Sequence, residues 1–210
     1  RDRGVPLHTD AAQAVGKVPV DVVAAQVDLL SLSAHKLYGP KGVGALYVRS
    51  GRPRVRLEPI LYGGGHERGL RSGTLPVPLL VGMGRAAVLA AEELESGGPE
   101  RLADLRDRLW IGLAESIDGV ERNGSLGHGH PGNLAICLRG VQAEALLMAL
   151  RDVACSTGSA CTSESLEPSH VLQAIGADEE RLECSVRLGL GRSTTEAEID
   201  LPNPDHRLKP

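Results

Sequence analysis

The chain has 210 residues, with 23 Lys+Arg against 27 Asp+Glu and a formal net charge of −4. Aliphatic side chains must build its core, because 41% of residues are hydrophobic yet there is no Phe, one Trp and three Tyr. A mildly acidic, aromatic-poor chain lacks the basic stripe or stacking platforms of a nucleic-acid binder. No apolar run nears the roughly 18 residues of a membrane span, and no charged-then-apolar leader opens the chain. A cytoplasmic protein without membrane or nucleic-acid partners is the expectation.

The 26 Gly and 13 Pro imply many tight turns. Val5–Thr9 and Asp28–Leu32 read as strands, the second apolar enough to be covered on both faces. Val43–Val48 is a third, after the turn Gly39-Pro40-Lys41-Gly42, and Val55–Leu61 is expected to be extended. A loop on Gly63-Gly64-Gly65 follows. From Val77 to Glu95, Leu80, Met83, Ala87, Ala90 and Leu94 recur at helical spacing. Ser96-Gly97-Gly98-Pro99 stops that helix and marks the expected domain boundary, dividing residues 1–95 from 96–210.

Beyond it, Leu102, Leu105, Leu109 and Leu113 line one face of a helix. Asn133–Leu138 reads as a strand, Ala143–Arg151 as a helix, and Ser156–Glu167 as a loop of small polar residues holding Cys161. Val171–Ile175 is expected to be helical and Val186–Leu190 extended. Thr195-Glu196-Ala197-Glu198 fits a capping box opening a last helix, cut short by Pro202 and Pro204. The expected fold is α/β, a mostly parallel sheet with helices, followed by a smaller α+β domain.

The four cysteines have no C-x-x-C spacing and recommend no disulfide framework. Cys137 alternates within an apolar strand and reads as core, and Cys155 and Cys184 as packed. Asn123-Gly124-Ser125 reads as a simple turn, and Arg49, Arg52, Arg54 and Arg56 as a solvated edge. No histidine spacing suggests a permanent metal site.

Ligands of parallel α/β sheets sit outside the carboxyl ends of the strands. Asp10 and Gln13 follow the first strand; Ser33, His35 and Lys36 follow the second. An amine beside a carboxylate and anion-binding groups is what a pyridoxal phosphate site requires. The alternative is a salt bridge with a capped loop, and composition alone weighs the two evenly.

Four motifs shift that balance. Thr9-Asp10-Ala11-Ala12-Gln13-Ala14-Val15-Gly16 and Ser31-Leu32-Ser33-Ala34-His35-Lys36-Leu37-Tyr38-Gly39-Pro40-Lys41-Gly42 are two of them. The others are Gly63-Gly64-Gly65-His66-Glu67-Arg68-Gly69-Leu70-Arg71-Ser72-Gly73-Thr74 and Ser156-Thr157-Gly158-Ser159-Ala160-Cys161-Thr162-Ser163-Glu164-Ser165-Leu166-Glu167-Pro168-Ser169. In this order, from about Val5 to Asp200, the chain resembles cysteine desulfurases of the branch that supplies sulfur for iron–sulfur clusters. These are fold-type I pyridoxal phosphate enzymes, and the resemblance implies the remainder of their large domain plus the small C-terminal domain.

The resemblance makes Lys36 the Schiff-base lysine, Asp10 the partner of the pyridine nitrogen and Gln13 a ligand of the ring hydroxyl. Ser33 and His35 would hold the phosphate, and Thr74 the phosphate in the other subunit of a homodimer. Lys41 competes with Lys36 on chemistry alone, but it sits in a Pro-Gly turn whereas Lys36 follows the strand end. Cys161 is the nucleophile, on a mount of small residues suited to carrying sulfur outward, and a possible transient iron–sulfur ligand. Arg187 would bind the substrate carboxylate. The implied partners are L-cysteine and a sulfur-acceptor protein such as an iron–sulfur scaffold. A selenocysteine lyase, or a non-catalytic remnant with a partner-binding surface, is the alternative reading.

Two departures accompany the resemblance. The family carries a segment before Val5 with a ring-stacking histidine, to which no residue here corresponds. The stretch from Leu201 to Pro210 abandons the expected closing helix. The chain is therefore expected to be the C-terminal half to two-thirds of such an enzyme. It should have little activity alone and expose apolar faces around Leu29, Leu30 and Leu46.

Overall fold

The computed structural model describes residues 3–51, 55–125, 127–157 and 169–200. They form two compact units, Arg1–Gly97 and Gly98–Pro210. The first holds a sheet of order β1-β2-β3, built from β1 (His8–Asp10), β2 (Leu29–Ser33) and β3 (Gly44–Val48). β1 and β2 are parallel, with His8 opposite Leu29 and Asp10 opposite Ser31. Segment 11–28 is long enough for the crossover that parallel pairing needs. Segment 34–43 holds only a short 3₁₀ turn, Ala34–Leu37, and a bend, so β3 returns antiparallel with Ser33 opposite Gly44.

The first strand starts later than its apolar residues suggest. Pro6 has no amide to donate to a ladder, and pairing is limited to the Leu7 carbonyl, which accepts from Asp28 and Leu29, before β1 begins. Residues 55–59 form no strand either. Helix α1 (Val77–Glu95) has the bounds its periodicity predicts. Ala86 and Ala90 face Leu37 in one core cluster, and Ala11, Val27 and Leu30 form another. Leu30 is thus only 3% exposed, contrary to expectation, because the turn after β1 folds Ala11 over it; Leu46, at 49%, is open as expected.

Arg49 also departs from the solvated edge it was assigned to. Its guanidinium pairs with the buried carboxylate of Asp28, which also accepts from the Leu7 amide at 2.8 Å. A buried carboxylate needs such a partner. Arg52 and Arg54 lie outside the described residues.

The second unit opens with α2 (Gly98–Ser116) and holds an antiparallel sheet of order β4-β5-β7-β6. Its strands are β4 (Val120–Arg122), β5 (Asn133–Leu138), β6 (Cys155–Ser156) and β7 (Ser185–Gly189). The helices α3 (Ala143–Ala149), α4 (His170–Ala174), α5 (Glu179–Glu183) and α6 (Glu196–Asp200) complete it. Leu134, Ile136, Ala143 and Val186 form its main core, with Leu109, Trp110 and Leu113 of α2 packed against them. The capping box forms: Glu198 accepts from the Thr195 amide at 2.7 Å, and Thr195 Oγ1 accepts from the Glu198 amide at 3.3 Å. Asn123 is no simple turn residue. Its amide donates to the Ala135 carbonyl, and its side chain joins Ser185 at 2.8 Å and Arg181 at 2.6 Å.

The cysteines require a further correction. Cys137 is buried as expected, but it is bonded to Cys184 in a disulfide. The β5–β7 register puts Cys137 opposite Ser185, and Cys184 comes one residue earlier, with the two Cα atoms 5.0 Å apart. That lies within disulfide reach. A separation of 47 residues hides this proximity from sequence spacing.

Candidate active site

Parallel pairing brings the ends of β1 and β2 to one edge of the first unit's sheet. Asp10 ends β1 and is exposed; its Oδ1 accepts from the Ala12 amide at 2.9 Å, a turn that fixes the carboxylate at the strand end. The Ala11 amide, by donating to the Ser31 carbonyl at 2.9 Å, ties that turn to β2. Gln13 is exposed in the same turn. At the end of β2, Ser33 Oγ lies 2.7 Å from His35 Nδ1. With the hydroxyl donating, the imidazole keeps its proton on Nε2 and can donate to an incoming anion.

Lys36 is mounted by its neighbours. In the 3₁₀ turn, Ala34 (0% exposed) and Leu37 (2%) are buried three residues apart, so His35 and Lys36 are turned out to solvent between two anchors. The Ala34 amide donates to the Val43 carbonyl, and the Gly39 amide donates back to the Ala34 carbonyl at 2.9 Å. Gly39 is needed there, since a Cβ would stand 3.0 Å from the Ala34 oxygen and 3.1 Å from Ala86 Cβ. Tyr38 closes the turn in the left-handed region, φ 63°, and Lys17 Nζ sits 3.6 Å from its ring centroid. Sequence reading missed Lys17, because no spacing rule joins it to Tyr38.

The glycine-rich loop folds back on itself ahead of α1. The Gly65 amide donates to Ser72 Oγ and the Gly73 amide to His66 Nδ1, each at 3.3 Å. Glu67 and Arg68 both take positive φ, 52° and 58°. Thr74 follows, exposed. Asp10, Gln13, Ser33, His35 and Lys36 therefore share one edge, whereas Thr74 belongs to this separate loop.

Arg187 belongs to the second unit, half-buried on β7, opposite Ala135 of β5 and Ser156 of β6. Cys161, which follows β6 in the sequence, lies outside the described residues. Cys155, half-buried on β6, has its thiol pushed up by burial, so it is a poorer thiolate than an exposed cysteine. Among the described residues no group of three or more His, Cys, Asp or Glu could hold a metal ion. The sheet edge instead offers an amine, a carboxylate and a hydroxyl–imidazole pair, all reachable from solvent. That donor set suits a phosphorylated, ring-bearing aldehyde.

Comparison with known proteins points the same way. Residues 1–201 match the family described as Aminotransferase class-V. The chain is 58% identical over 200 residues to a protein named cysteine desulfurase IscS from Aeromonas hydrophila subsp. hydrophila, covering 95% of this chain and 49% of that one. A solved NifS-like protein superposes with a TM-score of 0.82 at 35% identity, covering 95% of this chain and 51% of that one. A structure of SspA in complex with cysteine superposes with a TM-score of 0.68 at 34% identity, covering 92% and 52%. The chain spans about half the length of the relatives it matches.

Proposed function

This chain belongs to the class-V aminotransferase family, and from that premise we propose that it carries the Lys36 and Cys161 portion of a cytoplasmic cysteine desulfurase. The observation that carries the reading is the convergence of Asp10, Ser33, His35 and Lys36 on the carboxyl edge of a parallel strand pair. Identity of 58% to a protein named as a desulfurase supports it. Pyridoxal phosphate, when bound, supplies an electron sink for the substrate Cα.

The residues divide the work. Lys36 would hold the cofactor through its amine, and that amine would move the substrate Cα proton. Asp10 would pair with the pyridine nitrogen, Gln13 with the ring hydroxyl, and Ser33 and His35 with the phosphate. Thr74 would serve the phosphate of the second subunit in a homodimer. Arg187 suits the substrate carboxylate, because a guanidinium can bind both oxygens at once. Cys161, as thiolate, attacks the sulfur of L-cysteine. Its S–S bond forms as the substrate C–S bond breaks, a proton replaces sulfur on the former Cβ, and L-alanine leaves a persulfide on Cys161. A sulfur-acceptor protein, such as an iron–sulfur scaffold, would then take that sulfur, with Cys161 serving as a transient iron–sulfur ligand.

The test uses the chain completed with the segment its curated relatives carry beyond it. Cysteine should yield equimolar alanine and persulfide or sulfide, and Cys161→Ser should keep cofactor absorbance while turnover falls at least 100-fold, a chemical defect and not a binding one. Undiminished turnover in Cys161→Ser, with loss in Cys155→Ser, would contradict the assignment.

A further inference from the structure

We propose that Cys137 and Cys184 form a redox-responsive clamp inside the second unit, closed by a low-molecular-weight disulfide and opened by a dithiol. Both residues are buried, Cys137 at 0% and Cys184 at 2% exposure, and they are bonded to each other. Cys137 lies on β5, which pairs with both β4 and β7, and Cys184 caps the carboxyl end of α5 just before β7. The bond therefore fastens β7 to β5 at the start of the strand that carries Arg187. Two register positions along, Ala135 faces Arg187. The Leu138 amide, donating to the Cys184 carbonyl at 3.2 Å, holds the same junction without the bond, so the strand pair can persist when the thiols are reduced.

The exchange balances. One cysteine thiolate attacks the small disulfide and releases one thiol; the second cysteine displaces the other half, releasing a second thiol. The two cysteines lose two electrons, the small disulfide gains them, and both cysteine protons end on the released thiols. Because both sulfurs are buried, each attack requires the β5–β7 junction to open locally. The closed clamp restricts a loop of 47 residues in the unfolded chain, which should raise the thermal midpoint by roughly 10 °C. This inference is independent of the desulfurase reading.

Peptide mapping with thermal unfolding tests it. The 210-residue chain is equilibrated with oxidised glutathione or with dithiothreitol, then alkylated in denaturant and digested with trypsin. In the oxidised sample the peptide spanning 123–139 should be joined to that spanning 182–187, and dithiothreitol should separate them. The midpoint of unfolding should drop by roughly 10 °C on reduction, and the Cys137→Ala/Cys184→Ala chain should show no response to dithiol. Alkylation of both cysteines after oxidation, pairing of either with the peptide spanning 152–181 that carries Cys155 and Cys161, or equal midpoints in oxidised and reduced wild type would overturn the proposal. The mapping and the wild-type comparison decide even where the double variant fails to fold.

Discussion

Lys36 owes its place to the residues on either side of it. Ala34 and Leu37 anchor the turn, Gly39 allows its close approach to α1, and the amine is left pointing outward beside His35. Lys41, the rival by chemistry, is also exposed but lies beyond the turn, after Pro40. In the completed chain, borohydride reduction after adding pyridoxal phosphate should fix the cofactor on Lys36, and Lys36→Ala should abolish that adduct in mass spectra. An adduct on Lys41 in the wild type would move the assignment there. This cluster was legible because polar side chains directly follow an apolar strand, a pattern that short-range reading detects. The Cys137–Cys184 bond, the Arg49–Asp28 pair and the Lys17–Tyr38 contact were not. Each joins segments that only strand pairing or a tertiary turn brings together.

At the scale of elements, the legible parts are those whose signal is periodic or capped. α1 and β5 have the predicted bounds, and the Thr195–Glu198 box opens α6. β4 and β6 were missed, being three- and two-residue strands, and five-residue α5 was too short to show periodicity. Carboxylates fix the ends of α5 and α6. The Thr195 amide and hydroxyl hold the Glu198 carboxyl below its usual range, as the Arg181 amide and then Arg139 do for Asp178. The Arg139 guanidinium does the same for Glu121. Groups with depressed folded-state pKa values give stability that is fully present above the unfolded value, about 4, and lost as pH falls through the folded one. The thermal midpoint should therefore fall as pH drops below about 4.5. Glu198→Gln should lower the midpoint at pH 7 and flatten part of that acid slope, while Thr195→Ala should cost about 1 kcal/mol at neutral pH. An unchanged slope in Glu198→Gln, measured by circular dichroism melts, would remove Glu198 from this role.

Across the whole molecule, the residues of the proposed site fall in two units. Lys36 and the groups around it belong to Arg1–Gly97, and Arg187 and Cys161 to Gly98–Pro210. Sequence could not disclose how the strands would pair: β3 turns back because its connection is too short to cross over, and Leu30 is buried by the turn after β1. Sulfur transfer, the reaction proposed for this chain, can be followed atom by atom. The completed chain, loaded with pyridoxal phosphate and given one equivalent of sulfur-labelled cysteine, would be quenched, alkylated and mapped by mass spectrometry. The label should sit as a persulfide on Cys161, with one alanine formed per label bound. Label on Cys155, or alanine formed with no labelled sulfur on the protein, would contradict the reading of this chain as part of a cysteine desulfurase that works through Cys161.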